Sequence, residues 1–396
     1  MHILFLSRWF PFPPNNGSKI RINNLLRGLS GHHTVSLLSF METDDAEPDI
    51  AAAAEVCRSV RVIRRKPFTP ESWSARLAYF SFAPRSVIDT FSPEMALAIK
   101  ETLAAEKIDL VVASQVDMAV YSRYFRGLPA IFEEVETGVL YEQFARAESP
   151  LQRLRFGLTW AKHRRYLRLL FKDFQACTVV SAQERVLLQR VVGGMETVEV
   201  LPNCIDLADY VGVNEPPQPG TLVFMGAFSY NPNYEAMVWF VEKVLPIIQS
   251  ELPGVRLTIT GNHQNRPLPP AENVTLTGFV DDIRPLVARS WASIVPLHTG
   301  GGTRLKILEA MALGTPVIAT PKGAEGLDAE PGRHLLVADS PTAFAGSVIS
   351  VLQDAALRRR LAENGAQLVR EKYNWQAILP EFLSLVERVA DRHPAG

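Results

Sequence analysis

The segment with the clearest chemical potential is a glycine-rich turn followed by a helical pattern, within residues 295–320. Three consecutive glycines at 300–302 permit a tight turn and let another group approach the backbone closely. A helix is predicted to begin at Thr303 and to end at Leu313, with Gly314 as its stop signal. The free N–H groups and the positive dipole end of such a helix form a site for an anion.

Helical spacing places Gly302, Lys306 and Glu309 on one face of this helix. Glu309 lies about 10 Å along the axis from Gly302, at ~1.5 Å per residue, which is roughly the distance from a diphosphate to its ribose. A carboxylate there can accept hydrogen bonds from two ribose hydroxyls. Arg304 and Lys306 add positive charge in the first turn, where an anion would compensate it. The alternative to a nucleotide site is that Lys306 and Glu309 form an exposed i,i+3 ion pair and that the glycines form an ordinary turn. Three apolar residues are predicted to pack on the sheet: Leu305, Leu308 and Ala312.

Other polar residues follow predicted strands, and each has a functional and a structural interpretation. His298 can polarise a substrate, or it is a structural loop histidine. Glu133 and Glu134 can bind or deprotonate an acceptor, or they lie in a solvated loop. Asp281 and Asp282 are interpreted as a helix N-cap rather than as metal ligands, because aspartates there satisfy free N–H groups.

A strongly basic segment covers residues 151–174. Its apolar residues recur at helical spacing, and Trp160 and Tyr166 accompany them. Such an amphipathic helix can lie on an anionic membrane surface. The alternative is a helix packed on its own domain with its basic face in water. The segment has one acid, Asp173, against seven cations: Arg153, Arg155, Lys162, Arg164, Arg165, Arg168 and Lys172.

The composition excludes several classes of protein. The 396 residues carry a net charge of −1, so nothing global indicates a nucleic-acid partner. The cysteines, Cys57, Cys177 and Cys204, are far apart in sequence, which suits a reducing compartment. No apolar run approaches the ~18 residues that span a bilayer. We therefore expect a cytoplasmic protein, with possible association at the membrane surface. We expect neither a metal nor another cofactor.

Short apolar runs alternate with helical patterns in two series, which predicts two α/β domains with parallel sheets. The proline-rich residues 202–220 are interpreted as a linker. The predicted domains are 1–203, together with a C-terminal helix in 375–396, and 204–374. Twelve strands are predicted: Ile3–Leu6, Thr34–Leu38, Val60–Ile63, Leu110–Ala113, Ala130–Phe132, Cys177–Val180, Leu222–Met225, Val255–Ile259, Val274–Leu276, Ala292–Val295, Val317–Ala319 and Leu335–Val337.

Residues 295–326 resemble the nucleotide-sugar site of GT-B glycosyltransferases, in particular retaining glycosyltransferase family four. Glu309 matches the second of two glutamates in that family, with the typical Glu-Ala-Met-Ala-x-Gly-x-Pro-Val-Ile continuation. The first glutamate would fall at Gly301 and is absent. Many relatives also have a lysine after the strand that corresponds to Leu222–Met225, whereas this chain has Ala227 and no such lysine.

The resemblance extends over nearly the whole chain. It includes Asn16-Gly17-Ser18, the Pro202–Asp206 hinge, the turn after Met225, and the loop at Phe279–Val280. The donor contacts that the residues and the resemblance together suggest are Gly17, Ser18, Gly226, Phe279, Val280, Gly301, Gly302, Thr303, Glu309 and Glu325. Lys306, Arg304 and His298 are the candidate catalytic residues, and we expect Lys306 to be the main diphosphate partner.

The resemblance implies two Rossmann-like domains that face a cleft, with the C-terminal helix crossing back to the first. It implies sugar transfer, with retention, from a nucleotide-diphosphate sugar. The acceptor would be a glycan, a lipid-linked glycan or a small molecule, as in bacterial exopolysaccharide synthesis. A nucleotide-sugar 2-epimerase and a non-catalytic nucleotide-sugar-binding protein are the alternatives.

Overall fold

The computed structural model describes residues 1–14, 16–43, 47–147, 149–193, 197–213, 215–300 and 304–392. The chain divides into two compact units. Unit 1 comprises Met1–Pro202 and Leu379–Gly396, and unit 2 comprises Asn203–Ile378. The sequence places these boundaries at 203/204 and 374/375.

Unit 1 contains a parallel sheet in the order β3-β2-β1-β4-β5-β6-β7. This order defines a doubly wound Rossmann-like fold, whose topological switch point lies between β1 and β4. The strands are β1 His2–Ser7, β2 Thr34–Glu42, β3 Ser59–Arg65, β4 Leu110–Ser114, β5 Ala130–Glu133, β6 Ala176–Val179 and β7 Val198–Val200.

The helices of unit 1 lie between these strands. Its α-helices are α1 Gly17–Ser30, α2 Ile50–Ala54, α3 Trp73–Leu77, α4 Arg85–Asp89, α5 Pro93–Ala105, α6 Val116–Ala119, α7 Gly138–Ala145, α8 Pro150–Leu170 and α9 Ala182–Val192. Short 3-10 turns occupy Ala78–Phe80, Ser122–Tyr124 and Phe171–Asp173. The predicted basic helix is α8. It begins at a capping box of Ser149 and Gln152, and Trp160 and Leu167 are buried in the core.

Unit 2 contains a second parallel sheet, in the order β10-β9-β8-β11-β12-β13. This is again the doubly wound order, with the switch point between β8 and β11. The strands are β8 Gln218–Met225, β9 Arg256–Thr260, β10 Val274–Gly278, β11 Ser290–Val295, β12 Val317–Ala319 and β13 Leu336–Val337.

Helices cover both faces of this second sheet. They are α10 Asn231–Trp239, α11 Leu245–Glu251, α12 Arg284–Ala288, α13 Leu305–Ala312, α14 Pro341–Gln353 and α15 Ala355–Lys372. A 3-10 turn covers Leu207–Tyr210, and a π-helical turn, Phe240–Val244, joins α10 to α11. The last helix, α16 Trp375–Arg392, begins in unit 2 and continues into residues assigned to unit 1.

All twelve predicted strands correspond to strands of the two sheets. The central strands are buried, whereas the edge strand β10 is largely exposed, with Leu276 42% exposed. Other expectations need correction. β8 begins at Gln218, inside the predicted linker. β7 was missed, since three residues carry too short a pattern. The 18-residue α15 was also missed. The helical pattern of residues Tyr234–Gln249 forms α10 and α11, which the π-helical turn separates.

Candidate functional site

The predicted nucleotide site centres on α13 in unit 2. This helix begins at Leu305, so Arg304 precedes the first turn instead of lying in it. Gly301, Gly302 and Thr303 lie outside the described residues. The residues of α13 that pack most deeply are Ile307, Leu308, Ala310 and Met311, whereas Leu305 and Ala312 are only partly buried.

Lys306 lies against the turn after β8, at the switch point of the sheet. Its Nζ donates a hydrogen bond to Asn233 Oδ1 at 2.8 Å and lies 4.5 Å from the Phe224 ring centroid. A Cβ on Gly226 would lie 2.6 Å from Asn233 Nδ2 and 2.9 Å from this Nζ, so a larger residue would have to displace the hydrogen-bonded pair. The tertiary structure therefore puts a lysine beside the turn in which the sequence itself has none.

The charge of Lys306 is finely balanced. Burial, reinforced by the positive charge of Arg304, lowers the pKa of Lys306 to about 7, and Glu309 opposes the shift. An anion bound at this place would favour the charged ammonium. A bound anion would therefore keep the Lys306 amine protonated, and the resulting ammonium would stabilise the anion.

Arg304 contacts the loops around the site. Its side chain is buried, and Nη2 donates hydrogen bonds to the carbonyl oxygens of Gly300 at 2.9 Å and Lys322 at 3.3 Å. Lys322 follows β12, so the Arg304 side chain extends toward the strand side of the helix. These contacts connect Arg304 to the loops after β11 and β12, and its predicted catalytic role stays a prediction.

Glu309 lies near Lys306 on α13 and is partly buried. The Tyr210 hydroxyl donates to its Oε1 at 3.3 Å. Burial raises the pKa of Glu309, while the Tyr210 hydrogen bond and Lys306 oppose the shift. No motif in the sequence had pointed to Tyr210.

The remaining donor candidates of unit 2 lie after strands of the same parallel sheet. Phe279 and Val280 follow β10, and the Phe279 side chain is 77% exposed. His298, after β11, packs edge-on against Trp239 and lies 3.6 Å from the Asp339 carboxylate. Glu325, after β12, forms an ion pair with Lys322. Because the strands are parallel, all of these residues share one edge of the sheet.

The predicted N-cap at Asp281 and Asp282 needs correction, because the residue that directly precedes α12 is Ile283 and its side chain makes no capping hydrogen bond. The Asp282 carboxylate accepts the backbone N–H of Arg284 at 3.0 Å, at the start of α12. In the described residues, no group of three or more His, Cys, Asp or Glu side chains has an arrangement that could hold a metal ion.

In unit 1, Gly17 and Ser18 begin α1, which Asn16 caps by accepting the Lys19 N–H at 3.0 Å. This helix begins at the switch point between β1 and β4. The two residues are partly buried. Their predicted contact with a diphosphate stays a prediction.

The solvated-loop alternative for Glu133 and Glu134 is wrong, because both side chains are buried. Glu133 accepts hydrogen bonds from Arg21 Nε and the Ser114 hydroxyl, both at 2.6 Å. It is fully buried, which leaves it no surface for the predicted acceptor contact. Glu134 instead accepts from Gln115 Nε2 at 2.8 Å. Burial raises the pKa of Glu134 to about 7, with Arg21 opposing the shift.

We expect Glu133→Leu to lower the free energy of unfolding by about 3–5 kcal/mol, because it leaves the Arg21 guanidinium buried without its carboxylate. Urea unfolding followed by tryptophan fluorescence measures this change. The double variant Arg21→Leu/Glu133→Leu should be less destabilised than the sum of the two single variants. The exposed Glu55→Leu is the control. An equal effect of Glu55→Leu and Glu133→Leu would contradict a structural role for the buried pair.

Comparison with known families agrees with this site. Residues 219–354 match the sequence profile of the family described as "Glycosyl transferases group 1". The matched range contains β9 to β13, all of β8 except Gln218, and α13 with Lys306 and Glu309.

Three curated relatives are similar over part of the chain. A 44.6 kDa protein in the cps region of Klebsiella pneumoniae is 25% identical, over 39% of this chain and 42% of its own. A phosphatidyl-myo-inositol mannosyltransferase of Mycobacterium leprae is 29% identical, over 49% of this chain and 52% of its own. A lipopolysaccharide core biosynthesis glycosyltransferase of Rhizobium meliloti is 26% identical, over 54% of this chain and 64% of its own. The chain thus spans about half the length of the curated relatives it matches.

Solved structures match the whole chain. Sucrose-phosphate synthase of Thermosynechococcus elongatus superimposes with a TM-score of 0.69 at 18% identity, covering 99% of this chain and 100% of that one. HepE of Anabaena, in complex with UDP and glucose, superimposes with a TM-score of 0.63 at 17% identity, covering 98% of this chain and 100% of that one. These similarities establish the fold, which is that of GT-B glycosyltransferases. The second unit, which contains residues 219–354, is the part of the chain that is similar to group 1 glycosyl transferases.

Proposed function

We propose that the protein transfers a sugar, with retention, from a nucleoside-diphosphate sugar to a glycan or a lipid-linked glycan. The observation that supports this most is the position of Lys306, whose ammonium lies at the switch point of unit 2, with Glu309 three residues further along the same helix. This spacing suits a diphosphate and the ribose attached to it.

In the proposed reaction, the bond between the anomeric carbon and the diphosphate oxygen breaks, and negative charge grows on the departing diphosphate. Lys306 and the beginning of α13 stabilise that charge. Glu309 binds the ribose hydroxyls, and Arg304 holds the surrounding loops in place. No metal ion is required in this scheme.

A polysaccharide or glycolipid pathway is the proposed setting. One relative is named for a cps region and another for lipopolysaccharide core biosynthesis. UDP is the nucleotide to test first, because the similar HepE structure contains UDP and glucose.

A thermal-shift screen of nucleotide sugars, followed by measurement of nucleotide release, tests the proposal. A donor at 100-fold its dissociation constant should stabilise the protein by about 2.7 kcal/mol. Nucleotide release that depends on an added glycan or glycolipid supports transfer. Conversion of the nucleotide sugar without any acceptor would indicate an epimerase. Binding without release would indicate a non-catalytic protein.

We further propose that unit 1 docks on an anionic bilayer. No helix in the described residues is long and apolar enough to cross a membrane. Exposed aromatic residues nevertheless lie beside the basic face of α8: Phe80 is 91% and Phe82 is 69% exposed. The Arg165 guanidinium of α8 lies 4.4 Å from the Phe82 ring centroid, so the basic face of α8 and the exposed aromatic residues are in contact. Large apolar side chains ringed by cations fit the headgroup region of anionic lipids.

We expect phosphatidylglycerol vesicles to sediment the protein at low salt and to release it at high salt, because salt screens the attraction. Arg164→Glu/Arg165→Glu should weaken this binding at least about tenfold. The control is Arg359→Glu/Arg360→Glu, which reverses two exposed charges in unit 2. Equal loss in both double variants, or equal binding to neutral phosphatidylcholine vesicles, would contradict docking through α8.

A further inference from the structure

A cavity of about 900 Å³ lies inside unit 1, between α8 and the carboxyl ends of β4 and β5. This volume is in the usual range for a small-molecule site. At one end, Leu154 and Leu158 of α8 line the cavity although they are 61% and 58% exposed, so the cavity opens to the surface. At the other end, Phe132 and Val135 are almost completely buried. The cavity therefore leads from an apolar mouth to the edge of the sheet.

The inner end of the cavity is polar and strained. Gln115 and Glu134, which follow β4 and β5, line it and have left-handed backbone angles of φ 65° and 54°. Their side chains are hydrogen-bonded to each other. Non-glycine residues in this conformation cluster at functional sites, because the surrounding structure must hold them there. Ligands of such sheets also bind beyond the carboxyl ends of the strands.

His163 supplies a second polar group in the wall. Its side chain is 6% exposed, and Nε2 has no hydrogen-bond partner among the described residues. A buried nitrogen of this kind normally has a partner, so a ligand group is the expected one. Burial lowers the pKa of His163 to about 4. The ring is therefore neutral near pH 7 and can exchange hydrogen bonds with a hydroxyl.

The chemistry of the two ends selects the ligand. The Glu134 carboxyl group at the inner end disfavours a phosphate, whereas carboxylate, amide and imidazole groups pair well with hydroxyls. The mouth offers hydrocarbon: Val139, Leu140, Leu151, Leu154, Leu158 and the Tyr79 ring. A free sugar would leave this apolar length unfilled, and a plain hydrocarbon would leave the polar groups unpaired.

We infer that this cavity binds a glycolipid, with its alkyl chain along α7 and α8 and its hydroxyl-bearing head at Gln115, Glu134 and His163. The inference rests on the proposed function, since it names the class of acceptor for the same reaction. It assigns to unit 1 the selection of an amphiphile rather than of a free oligosaccharide.

Isothermal titration calorimetry with octyl β-D-glucopyranoside, below the concentration at which it forms micelles, tests the inference without any nucleotide sugar. We expect saturable binding of one molecule per chain. The affinity should be at least about tenfold higher than that for methyl β-D-glucopyranoside or for 1-octanol, because only the octyl glycoside fills both ends. Equal affinity for the methyl and octyl glycosides would overturn the inference.

Two variants locate the binding. Leu154→Trp should fill the mouth and reduce the affinity for octyl glucoside at least about tenfold. Leu169→Trp changes a residue of the same helix that is 53% exposed and outside the cavity, and it should have no effect. Glu134→Gln should weaken octyl glucoside binding but leave 1-octanol binding unchanged. An equal loss of affinity for octyl glucoside in Leu154→Trp and Leu169→Trp would overturn the inference. Amphiphile binding without any donor turnover would contradict the proposed function alone.

Discussion

Glu309→Ala is expected to weaken the binding of UDP about 100-fold, because two charge-assisted hydrogen bonds to the ribose are lost. The fold should be retained, since Glu309 is only partly buried and its side chain accepts a hydrogen bond from the Tyr210 hydroxyl at the surface of unit 2. Isothermal titration calorimetry with UDP measures the change, and thermal unfolding without ligand checks the fold.

A comparison of UDP with 2′,3′-dideoxy-UDP isolates the ribose contact. The wild-type protein should prefer UDP strongly, whereas Glu309→Ala should bind the two nucleotides with almost equal affinity. Glu251→Ala, at an exposed glutamate in the same unit, is the matched control. If Glu309→Ala binds UDP as tightly as the wild type, the ribose role is wrong and the carboxylate serves only as the partner of Tyr210.

Lys306→Met is expected to lower kcat by a factor of about 10²–10³, with a smaller change in KM. The charge on the diphosphate grows toward the transition state, so its cationic partner contributes more there than in the ground state. Steady-state kinetics with the donor found in the nucleotide-sugar screen measures both constants. Lys243→Met, at an exposed lysine in the same unit, is the control for loss of charge.

The pH dependence of UDP affinity is a second readout for Lys306. Because its pKa is lowered to about 7, the free protein loses the cation as pH rises through 7. UDP affinity should therefore fall between pH 6 and pH 8, with proton uptake on binding at the higher pH. Lys306→Arg should remove this dependence, because an arginine stays charged. A loss of turnover in Arg304→Ala but not in Lys306→Met would reverse the assignment.

Most of the fold could be predicted from local sequence patterns. Strands such as Leu110–Ser114 are continuous apolar runs, because parallel strands are covered on both faces. The pattern failed where local cues were short or misleading. Val198–Val200 is only three residues long, and Gln218 belongs to a strand although it lies among prolines and glycines. Pairing with neighbouring strands, which is a tertiary effect, defines both segments.

The candidate site was predicted in part. Spacing along one helix placed Lys306 and Glu309 near each other, because helical geometry is regular. Spacing cannot reveal a partner from another element. Asn233 and Tyr210 reach these side chains from distant parts of unit 2. The same holds for Arg21, whose buried ion pair with Glu133 joins α1 to β5.

The sequence by itself determined the two α/β domains, the group of residues around α13 and the resemblance to GT-B enzymes. These features depend on periodicity and on motifs, which are local properties of the chain. Only the tertiary structure decided that Lys306 lies at the turn after β8, that Glu133 is structural, and that Gln115, Glu134 and His163 line one cavity. These positions depend on which strands are neighbours in the sheet and on which side chains are buried. Both are determined only when the whole sheet forms.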